Sequence, residues 1–240
     1  MDKAAAFDCK QEIILAAHNL VASGIMTRSN HGNISLRIPG TEGFLLTSGG
    51  GLGDMTPDTI ALFDLEGNLL EGTVNPVGAE IVQMHAVVYR IRPEFMSVLH
   101  THSPFATGFA VAGQPIPLAY EALVRSGMTN GVPVASYGPR GSQESVENIA
   151  AVLNNVAPIR ALLLENHGVL TFGDTAQSAV QANFVIEEAA EIIEHAMNVG
   201  IPKLISTKQV KATRSRQATY AAAGSYSTTK APTVRNSVES

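Results

Sequence analysis

Short apolar runs with strand spacing alternate with longer runs of helical spacing from residue 10 to residue 200, and no interior linker is long enough to divide them. Each such element is apolar on one side only, so the stable arrangement is a single sheet covered by helices. Helical spacing marks residues 10–23, 80–90, 104–111, 143–156 and 176–199, with Gly24 and Gly200 as stops. Strand patterns mark 33–38, 44–48, 59–64, 68–71, 95–101, 132–136, 161–165 and 169–172, with Glu66-Gly67 forming a hairpin turn. The irregular alternation predicts a mixed α/β fold, an α/β/α sandwich, over residues 1–205.

Residues 206–240 differ. Lys203, Lys208, Lys211, Arg214, Arg216, Lys230 and Arg235 fall in a Ser-, Thr- and Ala-rich stretch that holds no acid before Glu239. Such a tail is either a solvated extension or an arm packed on a neighbouring subunit near the active site.

Composition narrows the function classes. The 240 residues are 45% hydrophobic and 15% charged, the balance of a globular chain. A net charge of −5 points away from nucleic acid and anionic membrane as partners. Cys9 is the one cysteine, so no internal disulfide forms. No apolar run approaches the ~18 residues of a spanning helix, and the acidic N-terminal residues do not read as a leader, so a cytoplasmic location is expected. So little surface charge is the pattern of a chain that hides part of its surface in an oligomer.

The chemistry concentrates in histidines. In Leu99-His100-Thr101-His102-Ser103-Pro104, His100 and His102 are two apart at the end of an apolar strand and point to the same face. His167 stands in a similar setting, in the turn Asn166-His167-Gly168 after another strand. Three imidazoles would hold a first-row divalent metal with positions left for a reactant, whereas a lone histidine in such a turn is a hydrogen-bonding residue. Glu80 begins a helical pattern, where it serves either the helix dipole or as a general acid/base. The turns Asn30-His31-Gly32-Asn33-Ile34-Ser35 and Thr47-Ser48-Gly49-Gly50 present N–H and hydroxyl groups that can hold an anion, or act simply as connectors. His18, His85 and His195 lie inside helical patterns and read as structural or surface residues.

In this order, Gly32-Asn33-Ile34-Ser35-Leu36-Arg37, Leu46-Thr47-Ser48-Gly49, Glu80 with His85 and Tyr89, Arg92-Pro93, the His-Thr-His stretch and Asn166-His167-Gly168 resemble the class II aldolase/adducin family. The resemblance spans about residues 10–200 and implies an α/β/α sandwich with a mainly antiparallel central sheet, assembled as a homotetramer. It also implies a zinc or manganese ion on His100, His102 and His167, Glu80 as acid/base, and Asn33, Thr47, Ser48 and Gly49 as substrate contacts.

Two departures from the sugar-phosphate members stand out. Their Pro-Ser-Ser-Glu run is replaced by Pro76-Val77-Gly78-Ala79-Glu80, which has no hydroxyl for a phosphate, and Glu80 precedes His85 by five residues instead of four. The first favours a carboxylate substrate. The chain is therefore expected to act as a metal-dependent carbon–carbon lyase similar to the branch that includes 3-hydroxy-2-methylpyridine-4,5-dicarboxylate decarboxylase. Arg125 and Arg140 are the carboxylate partners that charge alone nominates. The alternatives are a sugar-phosphate aldolase or epimerase of the L-fuculose-phosphate aldolase type, and a non-catalytic adducin-like module, against which the three histidines argue.

Overall fold

A computed structural model describes residues 3–28, 30–48 and 51–222. Two compact units divide between Ile205 and Ser206. In the first, eight strands form one sheet: β1 (Gly32–Arg37), β2 (Gly43–Thr47), β3 (Ile60–Asp64), β4 (Leu69–Glu71), β5 (Ser97–Thr101), β6 (Val134–Ala135), β7 (Ala161–Leu164) and β8 (Gly168–Gly173). Their order is β4-β3-β2-β1-β5-β8-β7-β6, antiparallel throughout except for the β6–β7 pair. The sandwich and its mainly antiparallel sheet are as expected.

Side-chain alternation sorts the strands into two faces. Phe44, Val98, Leu162, Leu164, Leu170 and Phe172 pack on one side under α3 (Val82–Ile91) and α6 (Gln143–Asn155). Ile34, Leu36, Leu45 and Leu99 pack on the other under α1 (Lys3–Ala22) and the start of α7 (Ala176–Val199). Beyond them, α4 (Pro104–Val111), α5 (Glu121–Arg125) and the second half of α7 cover Leu163 and Val169. Burying each of these large side chains is worth roughly 1.5–3 kcal/mol. Both faces are thus apolar, which makes the central strands read as continuous apolar runs.

Local signals set the helix ends. Thr175 and Ser178 form a reciprocal capping box at the start of α7, and the Ser142 hydroxyl accepts the Ser145 N–H at the start of α6. Three helices were not expected. Asn75 and Pro76 start a four-residue helix, α2 (Pro76–Ala79), whose cap is the Asn75 side chain accepting the Gly78 N–H at 2.6 Å. Residues 121–125 form α5, too short to show a periodicity. In the second unit the basic stretch forms α8 (Thr207–Ala222), where an extension was expected. Ser206 and Gln209 exchange hydrogen bonds at its start, a capping box followed by strong helix formers. Residues 223–240 lie outside the described residues. No helix among the described residues is long and apolar enough to cross a membrane.

Candidate metal centre

The site forms where β5 ends beside β8. The register pairs His100 with Asn33 of β1 on one side and with Leu170 of β8 on the other. His102 follows the last strand residue, and His167 comes from the tight turn joining β7 to β8, in which Asn166 holds a left-handed φ of 58°. The chain is drawn so close here that a Cβ on Gly168 would lie 2.5 Å from the Thr101 carbonyl oxygen and 2.9 Å from the His102 ring. Glycine is therefore required for the three histidines to meet.

They do meet. Their ligand nitrogens all lie within 4.8 Å of one another, with ring centroids 4.6–5.1 Å apart. The His100 Nδ1 lies 3.0 Å from the Val169 carbonyl oxygen, which only accepts, so Nδ1 carries the proton and the Nε2 lone pair faces the cluster. That Nε2 is 3.1 Å from the His102 Nε2. Two nitrogens on one tetrahedral zinc, at Zn–N distances of about 2.0–2.1 Å, would be about 3.3 Å apart. Burial lowers the pKa of all three histidines, that of His102 to about 4. Neutral imidazoles at a ligand's spacing fit a divalent cation.

Two residues absent from the sequence expectations stiffen this end of β5. Asn183 of α7 accepts the Thr101 hydroxyl proton at 2.8 Å and donates to the Ser103 hydroxyl at 2.9 Å, bracketing His102. One turn on, the Glu187 carboxylate accepts the Phe105 and Ala106 N–H groups, both at 2.9 Å, and so caps α4 from outside. The legible signal was a polar pair at core-facing positions of an otherwise apolar helix.

A cavity of about 280 Å³ opens over the histidines. Asn33 and Thr47 line it as expected, together with His31, Asn75, Gly78 and Arg140. The Thr47 hydroxyl accepts the Ile34 N–H, so its own proton is left to donate. Ser48 is not among the lining residues; its hydroxyl donates to the Thr59 carbonyl at 3.1 Å. Gly49 lies outside the described residues, and Arg125 sits in α5, away from the lining.

Glu80 is placed differently from a helix-opening residue. It caps α2 and precedes α3, which absorbs the extra residue before His85. Its half-exposed carboxylate pairs with the Arg140 guanidinium at 3.1 Å and belongs neither to the ligand cluster nor to the cavity lining. Of the two arginines named from charge, Arg140 is the one at the cavity. No carboxylate is among the described lining residues, so the cavity is electrostatically suited to an anion.

Residues 11–193 match the family described as Class II Aldolase and Adducin N-terminal domain. The chain belongs to this family. Among curated relatives of this class II aldolase-type chain, the 5-deoxy-D-ribulose 1-phosphate aldolase of Bacillus thuringiensis serovar kurstaki is 27% identical over 204 residues, covering 84% of this chain and 92% of that one. A 5-methylthioribulose-1-phosphate/5-deoxyribulose-1-phosphate aldolase of Escherichia coli is 30% identical over 171 residues, 71% of this chain and 76% of its own. The solved structure of an L-fuculose 1-phosphate aldolase superposes with a TM-score of 0.78 at 27% identity, covering 87% of this chain and 95% of that one.

Proposed function

We propose that this protein is a divalent-metal-dependent carbon–carbon lyase that cleaves a ketose 1-phosphate between C3 and C4. The observation that carries the reading is the convergence of His100, His102 and His167 beneath a cavity whose described lining residues include no carboxylate. A zinc or manganese ion held there supplies Lewis acidity for substrate oxygens and offsets the charge left when the carbon–carbon bond opens. The relatives above are named for aldolases of sugar phosphates, which favours the aldol reaction over the decarboxylation expected from the sequence.

In the cleavage, the C4 hydroxyl gives up its proton and C4 leaves as an aldehyde. The electron pair of the broken bond stays on C3, delocalised into the C2 carbonyl, until C3 takes a proton. Glu80 is the acid/base for this exchange, and its Arg140 partner, 3.1 Å away and lining the cavity, offers a cation to the substrate anion. Asn33 and Thr47 donate to substrate oxygens, with Ser48 and Gly49 adjoining them in the chain. The working assembly is a homotetramer, supported by the exposed Val111, Met197, Val199, Ile201 and Leu204 on the catalytic unit.

Decarboxylation of a hydroxylated aromatic carboxylate keeps one observation in its favour: Gly78 lines the cavity in a segment that lacks the serine hydroxyls of sugar-phosphate members. One experiment separates the two. Zinc- or manganese-loaded protein is incubated with 5-deoxyribulose 1-phosphate, fuculose 1-phosphate and a hydroxylated pyridine dicarboxylate while aldehyde and carbon dioxide are followed in parallel. Aldehyde with a three-carbon keto phosphate is expected; carbon dioxide alone refutes the aldol reading.

A further inference from the structure

Behind the cavity a line of polar groups runs through the core between β1 and α3. Asn33 and Ser35, two apart on the strand, face His85 and Tyr89, four apart on the helix, so the two spacings mesh. The Tyr89 hydroxyl is 2.6 Å from Ser35 Oγ, Ser35 Oγ is 2.7 Å from His85 Nδ1, and His85 Nε2 is 2.5 Å from Asn33 Oδ1. Tyr89, Ser35 and His85 are at most 1% exposed, and Asn33 is the member that reaches the cavity.

The proton order follows from the acceptors. Asn33 Oδ1 only accepts, so the neutral His85 ring carries its proton on Nε2 and leaves Nδ1 bare. Ser35 then donates to Nδ1 and accepts from Tyr89, and every short contact is satisfied in one direction. Reversing the order would set a bare Nε2 against Asn33 Oδ1, two acceptors face to face, and push the Tyr89 hydroxyl proton onto the Met96 carbonyl at 3.4 Å.

We propose that His85 is a positioning residue that fixes the Asn33 amide with its oxygen toward the core and its N–H groups toward the cavity, so that the site beside the metal ligands is committed to an anionic or carbonyl oxygen. The proposal rests on the reading above only in taking Asn33 to face the substrate. With His85 absent, the amide is free to turn its oxygen outward and repel the same group. Tyr89 and Ser35 act further back, by holding the tautomer.

Nitrogen NMR of the metal-loaded full chain, labelled on histidine, reads the tautomer directly: hydrogen on Nε2 and a bare Nδ1 are expected for His85, and the reverse overturns the proposal. His85→Gln keeps a terminal N–H the same number of bonds from the backbone, whereas His85→Leu removes it. With inorganic phosphate as the calorimetric probe, His85→Leu is expected to weaken binding about ten-fold or more at unchanged metal stoichiometry, and His85→Gln to stay within about three-fold of the parent. Parent-like binding in His85→Leu, or equal loss in both variants, overturns the proposal. Should His85→Leu fail to fold, the tautomer in the unaltered protein decides. None of these readouts requires turnover, so they stand apart from whether the substrate is a sugar phosphate.

Discussion

Gly168→Ala is the sharpest test of how the metal centre is built. The added methyl would stand 2.5 Å from the Thr101 carbonyl oxygen, 2.9 Å from His102 Cδ2 and 3.1 Å from His100 Cε1. Real Cβ contacts stay beyond 3.0 Å, so β8 must back away from β5 by about 0.5 Å, since the closest neighbour is backbone that cannot rotate aside. Metal ligands tolerate displacements of about 0.2 Å, so the strain reaches His167, one residue away, and both rings of the His-Thr-His segment. Overpacking of this kind costs about 1–3 kcal/mol, or roughly 2–12 °C in Tm for a unit of this size. Zinc affinity should fall ten-fold or more, and the rise in Tm on adding zinc should shrink with it. Gly108→Ala is the control: its methyl meets nothing within 4 Å in α4, so it should leave zinc binding intact and stabilise by about 0.5–1 kcal/mol. Competition with a chromogenic chelator measures the affinities. Parent-like zinc affinity and Tm in Gly168→Ala would refute the claim that this close approach shapes the ligand set.

Other outcomes follow from the same geometry. Glu80→Gln should retain the metal, because Glu80 is no part of the ligand cluster, and lower kcat by about 10²–10⁴-fold; steady-state kinetics with metal analysis on one sample checks both. Arg140→Met should raise KM for an anionic substrate about ten-fold or more and lower kcat less, read from initial rates across substrate concentration. Burial holds the His85 pKa down at about 3, against 6.5 for the exposed ring. The unfolded chain therefore takes up this proton below pH 6.5 and the folded chain does not, so the stability is complete above pH 6.5 and declines by about 1.4 kcal/mol per pH unit toward pH 3. Urea unfolding at pH 7, 6 and 5 should show His85→Gln losing stability less steeply than the parent, the other buried histidines being common to both.

The sequence was most informative where local chemistry and tertiary packing agree. The helices at 104–111 and 176–199 have the bounds read from their helical spacing, the second closed by Gly200. His100 and His102 share a face because a strand leaves them no choice, and His167 joins them through a turn whose Asn-His-Gly residues suit a left-handed backbone. Strand order was not legible, since β1 and β5 pair across some sixty residues and nothing local encodes that contact. Neither was the start of α3: helical spacing begins at Glu80, but Glu80 closes the short α2 that Asn75 caps, and α3 starts only at Val82. His85 looked like an ordinary helix residue because its partners, Asn33 and Ser35, sit about fifty positions away. Arg140 could be nominated only by its charge, because its cavity position depends on how the segment before α6 returns to Glu80.

The β5–β8 pairing has one more implication. Slipping those strands by a single position would rotate the first ligand to the opposite side of the sheet while the loop-borne imidazole stayed where it was. A mis-zipped centre would therefore recruit no ion, and an ion captured by the three histidines would add its binding free energy to the correctly aligned state alone. A cofactor bound there would thereby act as a proofreader of assembly as well as a reagent.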